Sequence, residues 1–146
     1  MDYSNYEKEV ERMKEKNSEY LKKFKGWLKK KGLADKTIKQ HLSNVDLYIN
    51  DFLNYYEVTE MKDGCYMLDG FLGDWFVHKC MWSSVNSIKQ NAASIKKFYA
   101  CMSEVGYIQK KDYEYLCCDI KESMEDWIKN MEIYDSDDFD LMDIFE

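Results

Sequence analysis

Not one proline occurs among the 146 residues, and only six glycines do. Proline stops helices and shapes tight turns, and glycine supplies the positive-φ corners of hairpins, so a chain nearly stripped of both has little with which to punctuate short strands. Long uninterrupted helices are the simplest solution, and the expected class is all-α. The length suits one domain with one core. Hydrophobic residues make up 45% and aromatics 16% of the chain, far more than a disordered polymer leaves in water, so that core is expected to form.

Apolar spacing locates the helices. Tyr3, Tyr6, Val10 and Met13, then Leu21, Phe24 and Leu28, recur at helical intervals and stop at Gly32, as one helix or as two divided near Asn17 and Ser18. A second helix, with Asp35 available as its cap, carries Ile38, Leu42, Val45, Ile49, Phe52, Leu53 and Tyr56 on one face for five turns. Residues 57–65 read as a loop with a turn at Asp63–Gly64, followed by a short apolar helix through Leu68, Phe71, Leu72, Trp75 and Phe76. Ser83 or Ser84 opens a fourth helix with the stripe Val85, Ile88, Ala92, Ile95, Tyr99 and Met102, closed by Gly106. A fifth begins near Asp112 and turns Tyr113, Leu116, Ile120, Met124, Trp127 and Met131 inward. Residues 1–133 are expected to form the helical domain and residues 134–146 an acidic, flexible tail.

Charge is distributed unevenly along this plan. Residues 16–110 hold fifteen basic and ten acidic groups, net +5, whereas residues 111–146 hold three and thirteen, net −10; with net −2 from residues 1–15 the chain carries −7. The helical body is therefore basic although the overall pI is about 5.0. The apolar stripes leave Lys36, Thr37, Lys39 and Gln40 outward on the second helix, and Asn86, Lys89, Gln90 and Lys97 outward or flanking on the fourth, with Ser83 and Ser84 at its start. Lysines mixed with amides and hydroxyls are the side chains that contact phosphates and groove edges, and a solvated helix face has the same look.

Other chemistries find little support. The five cysteines form no paired C-x-x-C pattern, so zinc and disulfide frameworks are not expected; Cys80 and Cys101 read as small buried thiols. His41 and His78 stand far apart in the helical plan and read as surface or structurally satisfied residues. Glu122, Glu125 and Asp126 lie at helical spacing without a histidine partner and read as a solvated face. No cofactor, metal or membrane partner is implied. No stretch approaches the ~20 apolar residues of a membrane span, and residues 1–10 are acidic and polar, unlike a secretory signal, so a cytoplasmic location is expected.

Several runs resemble a known family. Tyr20-Leu21-Lys22-Lys23-Phe24-Lys25-Gly26-Trp27-Leu28, Lys31-Gly32-Leu33-Ala34-Asp35-Lys36-Thr37-Ile38 and Asp51-Phe52-Leu53 come first. Ser87-Ile88, Ala93-Ser94-Ile95-Lys96-Lys97-Phe98-Tyr99 and Gly106-Tyr107-Ile108 follow. Together, over roughly residues 18–110, they resemble the SAM-like core-binding domain of phage integrases and tyrosine recombinases. The resemblance implies an orthogonal bundle of about five helices in which two crossed helices lie against the major groove of double-stranded DNA. It points to the Lys36–Thr37–Lys39 turn and to the Asn86, Lys89, Gln90 and Lys97 face, and it implies a nucleoid-associated role in DNA integration or recombination.

Where the chain departs from that family, function changes. Family members carry a second domain with arginines that grip the scissile phosphate and a tyrosine nucleophile; here Arg12 is the only arginine. A non-catalytic DNA-binding module is expected, with a helical protein-interaction module that keeps the fold but not the DNA as the alternative. The acidic segment reads as a solvated tail, as a phosphate mimic folded over Lys36, Lys39, Lys89 and Lys97, or as a docking segment through which Phe139, Leu141, Ile144 and Phe145 reach a second copy or a recombinase partner.

Overall fold

The computed structural model describes residues 3–145, with side chains to residue 135. Helix α1 spans Tyr3–Lys30 without a break. Asn17, where a division was conceivable, is buried, and its amide donates to Ile49 O at 3.2 Å and to Asn50 Oδ1 at 2.8 Å, so it fastens α1 to the next helix. Gly32, at φ +82°, turns the chain. Leu33 N–H then returns to Leu28 O at 3.4 Å, closing the helix end in the left-handed manner that glycine permits.

Helix α2, Asp35–Asp46, starts after Ala34, whose backbone is extended; Asp35 is its first helical residue and makes no side-chain capping bond, which corrects the expected cap. A π-helical turn, Leu47–Phe52, extends the rod, its wider pitch marked by Leu53 N–H donating to Tyr48 O at 3.0 Å. Ile38, Val45, Ile49, Phe52 and Leu53 are buried as the stripe predicts, but the rod ends there, leaving Tyr56 73% exposed. The expected loop instead contains a 3₁₀ helix, Met61–Tyr66. Two buried tyrosines hold it: Tyr48 Oη donates to Gly64 O at 2.6 Å, and Tyr99 Oη donates to Met61 O at 2.7 Å. Burial pushes both phenols well above their ordinary pKa.

Short helices α3, Leu68–Gly70, and α4, Phe76–Lys79, are joined by a second π turn, Phe71–Trp75, into one rod. Helix α5, Val85–Glu104, follows, and Gly106, at φ +86°, leads to α6, Lys110–Phe145. Helix α6 thus continues across the boundary expected between domain and acidic tail. The docking expected of Phe139, Leu141, Ile144 and Phe145 lies outside the described side chains.

Every regular element among the described residues is helical. Six α-helical segments make five rods, because α3 and α4 are one. Their core is an aromatic chain: Tyr48 stacks on Phe52 at 5.6 Å, Phe52 meets Phe71 at 5.2 Å, and Phe24 meets Phe98 edge-on at 5.4 Å. Each such buried side chain contributes roughly 1.5–3 kcal/mol relative to exposure. Trp127, fully buried, carries α6 into this core and donates from Nε1 to Asp69 Oδ1 at 2.7 Å.

Candidate nucleic-acid interface

Ile38 is 2% exposed and Val45 is fully buried, so the start of α2 can present only its other faces to water. Lys36, Thr37, Lys39 and Gln40 are all exposed. On α5 the buried Ile88, Ala92 and Ile95 do the same for Asn86, Lys89, Gln90, Lys96 and Lys97, all exposed. Helices α2 and α5 pack against each other, and between them runs a groove of about 320 Å³ lined by Lys36, Thr37, Gln40, His41 and Asn44 from one side and Gln90, Ala93 and Ser94 from the other. Of the residues expected at the interface, Lys36, Thr37, Gln40 and Gln90 meet in this groove. Lys39, Asn86, Lys89 and Lys97 lie on the same two helices outside its lining.

None of Lys36, Lys39, Lys89 or Lys97 forms an ion pair among the described residues. Arg12, Lys16, Lys22, Lys62 and Lys110 do, with Glu9, Glu60, Glu19, Glu60 and Glu114 respectively. The cations of α2 and α5 are therefore among those that no carboxylate of the described residues engages.

Ser83 and Ser84 are already engaged. Ser84 Oγ accepts from Ser87 N–H at 3.1 Å while Ser87 Oγ accepts from Ser84 N–H at 2.7 Å, a reciprocal cap that starts α5. Ser83 Oγ donates to Val77 O at 3.3 Å, and neither serine lines the groove.

The groove floor is a polar clamp that sequence periodicity does not disclose. Ser94 Oγ, 1% exposed as a residue, accepts from Asn44 Nδ2 at 3.0 Å and can donate its own proton to His41 Nδ1 at 2.7 Å. Gln40 Nε2 donates in turn to Asn44 Oδ1 at 3.0 Å. Burial, and after it the Lys97 ammonium, holds the His41 imidazole below its ordinary pKa and so favours its neutral form, whose tautomer with the proton on Nε2 lets Nδ1 accept from Ser94. His41 is thus a satisfied histidine, as expected. This serine–histidine pair lies at the groove floor, with Ser94 buried and His41 half-buried, and it ties α2 to α5. Asn44, Ser94 and His41 were hidden because their meeting depends on where the helices cross. The one local hint is the pair of small residues Ala93–Ser94 beside a buried stripe, which allows close approach.

His78, exposed, pairs with Asp74 at 3.4 Å and meets the Tyr134 ring edge-on. Cys65, Cys80 and Cys101 are buried, and burial pushes their thiols up to about 12, 11 and 11. Among the described residues no group of His, Cys, Asp and Glu could hold a metal ion, and no helix is long and apolar enough to cross a membrane. Comparison with family models, with curated proteins and with solved structures finds no match for this chain.

Proposed function

We propose that this protein is a non-catalytic DNA-binding module that grips double-stranded DNA through the exposed faces of α2 and α5, in the manner of the core-binding half of a tyrosine recombinase. The observation that carries the proposal is the shared groove of Lys36, Thr37, Gln40 and Gln90, flanked by lysines without an acidic partner among the described residues. Lysines supply phosphate contacts, and the amides of Gln40 and Gln90 have the donor and acceptor pair that reads an adenine edge. Binding on random duplex should weaken with salt by about one unit of log–log slope per phosphate neutralised. The double variant Lys36→Glu/Lys97→Glu should abolish the gel shift. Affinity untouched by that reversal of charge overturns the proposal.

A second role, as a helical protein-interaction module, is favoured by one feature. Met81 and Trp82, between α4 and α5, are 101% and 63% exposed, an unusual placement for two large apolar side chains in sequence. Light scattering of the purified chain, with Trp82→Ser as control, distinguishes self-association through this corner from DNA binding through the groove.

A further inference from the structure

A separate cleft of about 690 Å³, sharing no residue with the α2–α5 groove, lies between α1 and the end of the first π turn. Its volume is within the roughly 300–1,000 Å³ of ligand sites. Glu7 and Glu11 from α1 and Asp51 from the turn give it three carboxylates against one ammonium, that of Lys14. Burial first, and Asp46 second, hold the Asp51 carboxyl above the ordinary range, with Lys14 pulling the other way. Acids alone would define no site, but two deeply buried lining residues add a second observation.

Asn54 is 3% exposed and Trp75 is 8% exposed, and Asn54 Oδ1 and Trp75 Nε1 have no hydrogen-bond partner. The rest of Asn54 is committed: Nδ2 donates to Asn50 O at 3.0 Å, and its carbonyl accepts from Tyr6 Oη. By contrast, the Trp27 and Trp127 indoles donate to the carboxylates of Glu104 and Asp69. A buried donor or acceptor without a partner is destabilising, so an occupant that satisfies both is favoured. Tyr55, which also lines the cleft, already seats a cation: Lys79 Nζ stands 5.3 Å from its ring centroid.

The occupant must offer a positive charge, several N–H groups and a carbonyl. A guanidinium can donate to Asn54 Oδ1 and to a carboxylate at once from a fixed planar fork, and unlike an ammonium it can also lay that plane on an aromatic ring. A peptide carbonyl beside it can accept from Trp75 Nε1–H. The chain's own arginine, Arg12, is bonded to Glu9 of its own helix. We propose that this cleft binds an arginine presented by an extended segment of a partner protein, its guanidinium between Asn54 and the carboxylates and its neighbouring carbonyl on Trp75. Both unpartnered atoms are closed to solvent, so entry requires a small displacement of Tyr55, 47% exposed, whose ring meets Trp75 edge-on at 5.6 Å.

The test is an NMR titration of the ¹⁵N-labelled full chain with N-acetyl-arginine-N′-methylamide, following the assigned indole N–H resonances. The Trp75 resonance should move saturably while those of Trp27 and Trp127 stay in place. The neutral citrulline analogue should leave it still. In the variant Glu11→Gln/Asp51→Asn the midpoint should rise by about tenfold or more, the effect of losing a charge-assisted bond. A Trp75 resonance that never moves, one that moves equally with citrulline, or a midpoint unchanged in the double variant overturns the proposal.

Discussion

Nδ1 of His41 lies 2.7 Å from Oγ of Ser94, joining α2 to α5 beneath the groove that both helices line. The same hydroxyl accepts from Asn44, so one buried oxygen organises two side chains of the opposing helix. Replacing it strands both. Ser94→Ala is expected to lower stability by about 1–3 kcal/mol, the cost of leaving buried polar groups unpaired. Urea unfolding checks it, and a loss below a few tenths of that range would mean water replaces the hydroxyl freely.

The lowered pKa of His41 sets the sign of a pH effect. The folded state holds the imidazole neutral more strongly than the unfolded state does, so its contribution is fully present above the ordinary imidazole pKa of 6.5 and is lost as pH falls through the folded value. Asp51 and Asp119, whose carboxyls burial raises, act in the opposite direction at lower pH. The histidine's contribution is therefore isolated by difference: between pH 7.5 and 5.5, about one unit either side of the free imidazole, wild type should lose more urea midpoint than His41→Gln. Parallel pH profiles for the two proteins would remove the assignment.

Two glycines should respond oppositely to alanine. A Cβ at Gly64 would collide with the Tyr99 hydroxyl and stand 3.0 Å from Leu53 Cδ1, inside the packing that anchors the 3₁₀ helix. Gly64→Ala should cost about 1–3 kcal/mol. Gly26, within α1, has nothing within 4 Å of that position, and Gly26→Ala should gain about 0.5–1 kcal/mol from helix propensity. Thermal melts of the two variants should shift in opposite directions.

Thiol reactivity should follow burial. Cys118 is exposed and Cys117 half-buried, whereas Cys65, Cys80 and Cys101 are enclosed with raised pKa values. Iodoacetamide at pH 8 should modify Cys118 of the folded chain first, and the three enclosed thiols only after denaturation. Early alkylation of Cys80 or Cys101, read by peptide mass mapping, would show that the core opens more readily than its packing implies.

Most helices were legible because their apolar residues recur every three or four positions, a signal local in sequence. Ile38 to Leu53, Val85 to Met102 and Tyr113 to Met131 all turn inward, fully or partly, as that spacing requires. The misses have non-local causes. The 3₁₀ helix at Met61–Tyr66 is held by hydroxyls from Tyr48 and Tyr99, which no local window contains. Tyr56 was placed inward by extrapolating a stripe past the point where the rod stops. At the candidate interface, outward lysines were legible as the complement of the stripe; the His41–Ser94–Asn44 tie was not, because it exists only once two helices cross.

The first π turn has a consequence for how this rod tolerates change. A π turn takes one more residue than an α turn, so the stretch before Leu47 and the stretch after it are rotated relative to a straight α-helix by about 100°. Removing a single residue between Leu47 and Phe52 would return the turn to α geometry with Phe52 and Leu53 still facing their aromatic neighbours, whereas adding one would swing them away, while Lys36, Thr37 and Gln40 kept their places in both cases. Shortening by one residue would thus be absorbed by the turn and lengthening would register in melting temperature, with the lysine-bearing end in its original orientation either way.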